Sequence, residues 1–272
     1  DEDHLIELMV GRKLEEQYPF LEEEPGETIL KIDNVSNAHI NDVSFELKKG
    51  EILGVAGLMG AGRTELAKTI YGYYKIDKGQ ITIDGQDIKI KSENDAIKAG
   101  IAYVSEDRKK DGLVLGMSVK ENITLAALKM LSRGIFINRK EESLIADDYI
   151  RKLSIKTPSS NQKVKNLSGG NQQKVSISKN LLTRPKVLIL DEPTRGIDVG
   201  AKKEIYELMN IFKSEGMSVL MISSEIPELL GMCGRIMVMS EGQITGIIER
   251  DEASQEDIMR LAVGIRSDSD ES

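Results

Sequence analysis

Apolar and polar positions alternate along residues 28–35, Thr-Ile-Leu-Lys-Ile-Asp-Asn-Val, with the period of a strand that buries one face. Asp42-Val-Ser-Phe-Glu-Leu repeats the pattern, and Lys48-Lys-Gly-Glu turns the chain into the apolar run Glu51-Ile-Leu-Gly-Val-Ala, which predicts a buried strand. Gly79-Gln-Ile-Thr-Ile-Asp-Gly predicts a strand ending in a turn; a helix near 92–99 and the strand Ile101-Ala-Tyr-Val follow. Residues 105–117 are polar and contain glycine, the composition of a loop. From Ser118 to about Leu153 the period is helical, and Ser118 with Glu121 has capping-box spacing. This block interrupts the strand–helix alternation, which resumes after Leu167. A helix near 170–183 leads to Pro185. The strand Lys186-Val-Leu-Ile-Leu, a helix over 200–214, a strand over 218–222, a short helix from Pro227 and strands near 235–239 and 243–248 complete the series. Such alternation predicts an α/β domain around a mostly parallel, buried sheet. Residues 1–27 hold a short amphipathic segment, Leu5-Ile-Glu-Leu-Met-Val, and a charged run through Glu22-Glu-Glu-Pro-Gly, and read as a linker. Residues 251–272 read as a C-terminal helix and a disordered tail.

Composition narrows the function without naming it. The 272 residues suit one large or two small domains, and 40% hydrophobic content can fill a core. A net charge of −8 and a pI of about 5.1 argue against an electrostatic grip on nucleic acid, which needs clustered basic residues. No window approaches 18 consecutive apolar residues, so no membrane span is predicted. The start, Asp1-Glu-Asp-His, lacks the basic region of a signal peptide. Cys233 is the one cysteine, which excludes an intramolecular disulfide and fits a reducing compartment. It is expected to be a small buried apolar residue. The first residue is not Met and the pattern begins midway, so the sequence is expected to be part of a longer polypeptide.

The stretch Gly57-Leu58-Met59-Gly60-Ala61-Gly62-Arg63-Thr64-Glu65 joins the buried strand to a helix expected from Leu66. Strand, glycine-rich loop and helix form the context of a P-loop, whose N–H groups and helix N-terminus face phosphates. The spacing fits G-x-x-x-x-G-K-[ST] except that Arg63 stands where lysine belongs. A second feature is Val187-Leu-Ile-Leu-Asp-Glu, an apolar strand ending in two carboxylates. In P-loop NTPases such a strand is expected beside the P-loop. Asp191 then serves Mg²⁺, together with Thr64, and Glu192 orients or deprotonates an attacking water.

A third motif carries a resemblance. Asn166-Leu-Ser-Gly-Gly-Asn-Gln-Gln-Lys resembles the signature of the ATP-binding cassette (ABC) proteins. The resemblance implies that Leu167, Ser168, Gly169, Gly170, Asn171 and Gln172 complete the ATP site of a partner cassette across a dimer interface. It also implies that Asp198, in Gly196-Ile197-Asp198, lies at the dimer seam. The implied fold is a P-loop cassette over residues 28–250, with a mostly parallel core, an antiparallel β subdomain and an inserted α-helical subdomain at about 116–168 that meets a transmembrane partner. ATP and Mg²⁺ are the implied cofactors.

Three positions depart from the family's pattern. Arg63 replaces the lysine. Glu106 stands where the family has a glutamine that serves Mg²⁺ and water. Ser224 aligns with a switch histidine; the only histidines are His4 and His39, and serine offers no imidazole. His39 lies near the family's adenine-stacking position but reads better as a surface loop residue. Losing a well-placed electrostatic donor costs on the order of 10²–10³ in rate, so the chain's own site is expected to hydrolyse poorly while its signature serves a competent one.

Five strings, at 62–65, 105–109, 167–174, 194–202 and 223–228, resemble the second cassette of bacterial sugar-importer ATPases, most nearly those for ribose. The resemblance implies a preceding cassette in the same polypeptide, a separate membrane permease, a periplasmic sugar-binding protein and a place on the cytoplasmic face of the inner membrane. Two other readings stay open: a soluble ABC ATPase acting on ribosomes or DNA, and a catalytically inert nucleotide-binding regulatory module.

Overall fold

The computed structural model describes residues 18–133 and 136–264. The amphipathic segment at 5–10, His4 and the tail from 265 lie outside those residues. Six strands form the central sheet: β3 (Ile52–Gly57), β6 (Ile101–Val104), β9 (Val187–Asp191), β10 (Ser218–Ile222), β11 (Arg235–Ser240) and β12 (Gln243–Glu249), in the order β12-β11-β3-β10-β9-β6. All neighbours are parallel except the β11–β12 hairpin.

The unbroken apolar runs have a simple cause. Side chains alternate across a strand, and here both faces are covered. Leu188 and Leu190 of β9 join one core while Val187 and Ile189 join the other. Val219 and Met221 of β10 divide from Leu220 and Ile222 in the same way. One face packs against α6 (Gly169–Leu181), α7 (Val199–Ser214), α8 (Ile226–Met232) and α9 (Gln255–Ala262). The other packs against α1 (Arg63–Ile70), α2 (Glu93–Ala99) and a second, four-stranded antiparallel sheet. That sheet comprises β1 (Thr28–Ser36), β2 (Val43–Lys48), β4 (Lys78–Ile83) and β5 (Gln86–Ile88) in the order β2-β1-β4-β5. Buried Cys233, behind β3, donates weakly to Met221 Sδ at 4.0 Å, and burial pushes its thiol up, out of the reactive range.

Four expectations need correction. The helical block is not continuous: α3 (Val119–Thr124), a 3₁₀ turn and α4 (Leu128–Leu131) are followed by the hairpin β7 (Ser132–Arg133) and β8 (Phe136–Ile137), and only then by α5 (Arg139–Lys152). The β-favouring pair Phe136-Ile137 breaks the helix, and Asn138 caps the next one. The Ser118–Glu121 capping box is formed as expected. The loop at 105–117 contains a π-helical turn over Arg108–Gly112, capped by Asp107. The helix after the P-loop starts at Arg63, not Leu66, because Gly62 adopts φ 96° at its N-cap, a left-handed conformation that glycine takes at little cost. Finally, β9 does not lie beside β3: β10 pairs with both and separates them.

Candidate functional site

At the C-terminal ends of β3, β9 and β10 the chain leaves the sheet, and there a cleft of about 540 Å³ opens. It is lined by the whole stretch Gly57–Glu65 together with Glu106, Glu192, Arg195, Ser224 and Glu225. Residues far apart in sequence thus meet where an open α/β sheet places ligands. Within the loop the parts divide. Leu58 and Met59 are exposed, Met59 at 99%, whereas the Ala61 methyl belongs to the core. The first-turn N–H groups of α1, from Arg63 to Glu65, have no acceptor within their own helix and can meet an anion.

Arg63 does not reach out into the cleft. Its Nη1 donates to the Ser223 carbonyl at 2.8 Å and pairs with Glu192 Oε1 at 3.5 Å, both side chains being nearly buried. Ser224 Oγ donates to the other Glu192 oxygen at 3.1 Å. The three residues singled out as phosphate ligand, base and switch therefore hold one another. Glu192 has φ 49°, a left-handed backbone that costs a non-glycine residue about 1–3 kcal/mol, and strain of this kind collects at functional sites.

Asp191, at the end of β9, is fully buried. Burial pushes its carboxyl up, and the hydroxyls of Tyr103 and Thr64 pull the other way. Tyr103 donates to Oδ2 at 2.8 Å, while Oδ1 has no hydrogen-bond partner. Glu106 pairs with Arg195 across the cleft wall, so its carboxylate is already engaged. No local pattern marks Tyr103, Arg195 or Glu225 as neighbours of this cleft. Asp191-Glu192 could have pointed to a buried donor such as Tyr103, because a carboxylate at a strand's inner end needs one.

The Ser168–Asn171 segment faces a different cleft. About 250 Å³ in size, it is lined by Ser168, Gly170, Asn171, Asp198 and residues of α7, and it shares no residue with the first. Ser168 is exposed at the N-cap of α6 and accepts from Asn171 Nδ2 at 2.8 Å. Leu167 packs on the core. Asp198 is exposed, and one carboxylate oxygen accepts from the Ala201 N–H at 3.0 Å, capping α7. The Gln172 side chain is turned inward, where its amide donates to Val164 O at 3.2 Å and Leu167 O at 3.3 Å, so it braces the turn into α6 rather than facing outward with Ser168. Between the clefts lies Arg108, 9% exposed, whose guanidinium donates to the carbonyls of Arg195 at 2.8 Å and Gly196 at 3.2 Å. Arg108 sits in a run of charges that reads as a solvated loop, and only the π-turn carries it inward. His39 stays on a surface loop with its ring 4.3 Å from that of Tyr74.

Comparisons with known proteins bear on the family and the fold. A family model described as ABC transporter matches residues 40–195. A nucleotide-free ATP-binding cassette from an ABC transporter superposes with a TM-score of 0.76 at 23% identity, over 87% of this chain and 99% of that one. The protein cbiO1 from Clostridium perfringens, part of the ABC transporter complex cbiONQ, gives 0.71 at 25% identity, over 88% and 96%. A bacterial Atm1-family ABC exporter with ATP bound gives 0.68 at 20% identity, over 98% of this chain and 47% of the exporter.

Proposed function

Because the chain belongs to the ABC transporter family, as an ATP-binding cassette that energises transport through a membrane partner, we propose that it serves a bacterial monosaccharide importer, ribose foremost, as the second cassette of a two-cassette polypeptide. The five strings shared with sugar-importer ATPases support the cargo and the order of cassettes. In this reading a periplasmic sugar-binding protein delivers the cargo and the permease carries it. Among the described residues no helix is long and apolar enough to cross a membrane.

The Gly57–Glu65 cleft takes ATP. Relatives of this fold include a cassette in an ADP conformation and another bound to ADP and Pi. The site residues suit Mg²⁺: Asp191 Oδ1 is buried without a partner and Thr64 stands beside it. Among the described residues no group of three or more His, Cys, Asp or Glu gathers to hold a metal by itself, so Asp191 and the Thr64 hydroxyl would hold the cation together with the nucleotide. When bound, Mg²⁺ neutralises phosphate charge. Glu106 reaches such a cation only by leaving Arg195.

One observation carries the division of labour between sites, namely the pairing of Arg63 with Glu192 and Ser223. A P-loop cation has to stand between phosphates, and a water-activating carboxylate has to be free to accept a proton. Here each is held by the other, so this cleft binds nucleotide and turns it over slowly. Ser168 and Gly170, in their separate cleft, and Gly169 between them serve the partner cassette's ATP. In the two-cassette polypeptide assembled with its permease, Ser168→Arg is expected to abolish ATP hydrolysis, whereas Arg63→Ala leaves most of it; steady-state turnover decides. Equal losses from both changes sink the division of labour.

A further inference from the structure

Glu228 lies in α8, does not line the nucleotide cleft, and is 1% exposed. A carboxylate that deep requires donors around it, and four surround this one. Its Oε1 accepts from the Thr194 hydroxyl at 2.5 Å, the Tyr206 hydroxyl at 2.6 Å and the Lys202 ammonium at 3.1 Å. Its Oε2 accepts from the Ser223 hydroxyl at 2.8 Å.

The donors come from three separate segments. Thr194 follows directly on Asp191-Glu192-Pro193. Lys202 and Tyr206 stand on α7, which begins just after Asp198. Ser223 precedes Ser224, and its carbonyl is the group that takes the Arg63 guanidinium. The segments that present Glu192 and Ser224 to the cleft are therefore tied to one buried acceptor. Ser223 also accepts from the Glu225 N–H at 3.0 Å, which fixes the direction of its own O–H toward Glu228.

We propose that Glu228 is a positioning residue for the nucleotide cleft: through Ser223 it sets where Arg63 and Ser224 stand against Glu192. This rests on reading that cleft as an ATP site. The chemistry makes Glu228→Gln an informative change. Three donors already converge on the Oε1 position, so the amide nitrogen has to face Ser223. There a donor meets a hydroxyl that already accepts from Glu225, and the Ser223 hydrogen loses its acceptor. The disturbance falls on the residue that holds Arg63.

The test is calorimetric titration of the chain with Mg·ATP, for the wild type, Glu228→Gln, Arg63→Ala and the double variant, with thermal melting alongside. Residues coupled through one network show non-additive effects, so Glu228→Gln, by loosening the hold of Ser223 on Arg63, is expected to shift the Kd for ATP about tenfold in the wild type and by less than about twofold once Arg63 is alanine. A purely structural Glu228 lowers the melting temperature equally in both backgrounds, with Kd unchanged or the two effects multiplying; either result overturns the proposal. If Glu228→Gln does not unfold cooperatively, Ser223→Ala takes its place under the same criterion. A wild-type chain that fails to bind ATP overturns the ATP reading itself and the positioning role with it, whereas normal wild-type binding with independent variants overturns the positioning role alone.

Discussion

Arg63 keeps the charge of a P-loop lysine and changes where that charge rests. A lysine ammonium is a compact point charge, whereas a guanidinium is a planar fork that can bridge two acceptors. The Ser223 carbonyl and Glu192 carboxylate supply those acceptors 160 and 129 positions away in sequence. The substitution was legible; the pairing was not, because its partners meet only in the folded sheet. Tyr18 illustrates the same point and is testable by pH. Its ring lies 5.3 Å from that of Tyr206, close to the Glu228 network. Burial, reinforced by the charges of Glu228 and Glu225, pushes the phenol up to about 12 from the usual 10.0. The folded state therefore favours the neutral phenol, and its contribution to stability is complete below pH 10.0 and lost as pH rises through about 12. Urea unfolding across that window is expected to show a steeper loss of stability for the wild type than for Tyr18→Phe, and identical slopes refute the assignment.

At the scale of elements, the signature helix α6 and the following α7 approach closely. A Cβ built on Gly170 falls 2.5 Å from the Ala201 Cβ, well inside contact distance. Gly170 is thus required by the packing of two helices, independently of any phosphate. Overpacking of this kind costs about 1–3 kcal/mol. Gly170→Ala is expected to lower the urea midpoint, and Ala201→Gly in the same chain to recover part of the loss; a double variant no more stable than Gly170→Ala removes the explanation. The sequence showed α6 and α7 by their period but nothing of this contact. It concealed the β7–β8 hairpin for a different reason: two-residue strands lie below the length at which a period-2 pattern can be recognised.

Among the described residues, two of the clefts divide the sequence motifs between them and share no lining residue. One has the phosphate loop, with its cation paired inward; the other has the signature segment and no loop. In the proposed reading, neither is a complete hydrolytic site within one chain. The purified chain is expected to turn over ATP at least about 10²-fold more slowly than the proposed two-cassette polypeptide, in keeping with the loss of positioned electrostatic groups. Brisk turnover by the chain alone, measured as phosphate release, contradicts the assignment of the working site to a partner's loop.

By itself the sequence determined the alternation of strands and helices, the glycine-rich loop, the Asp191-Glu192 strand end and the signature at Ser168. Each of these is a local pattern, set by side-chain period, capping or a conformation that only certain residues adopt. Tertiary structure decided the rest. It inserted β10 between the loop strand and the Asp191 strand, turned Arg63 onto Glu192, drew Arg108 under the Arg195 and Gly196 carbonyls, and tied three segments to Glu228. These are long-range contacts between polar groups, and they form because burial in a crossing-over sheet leaves each group few partners to choose from.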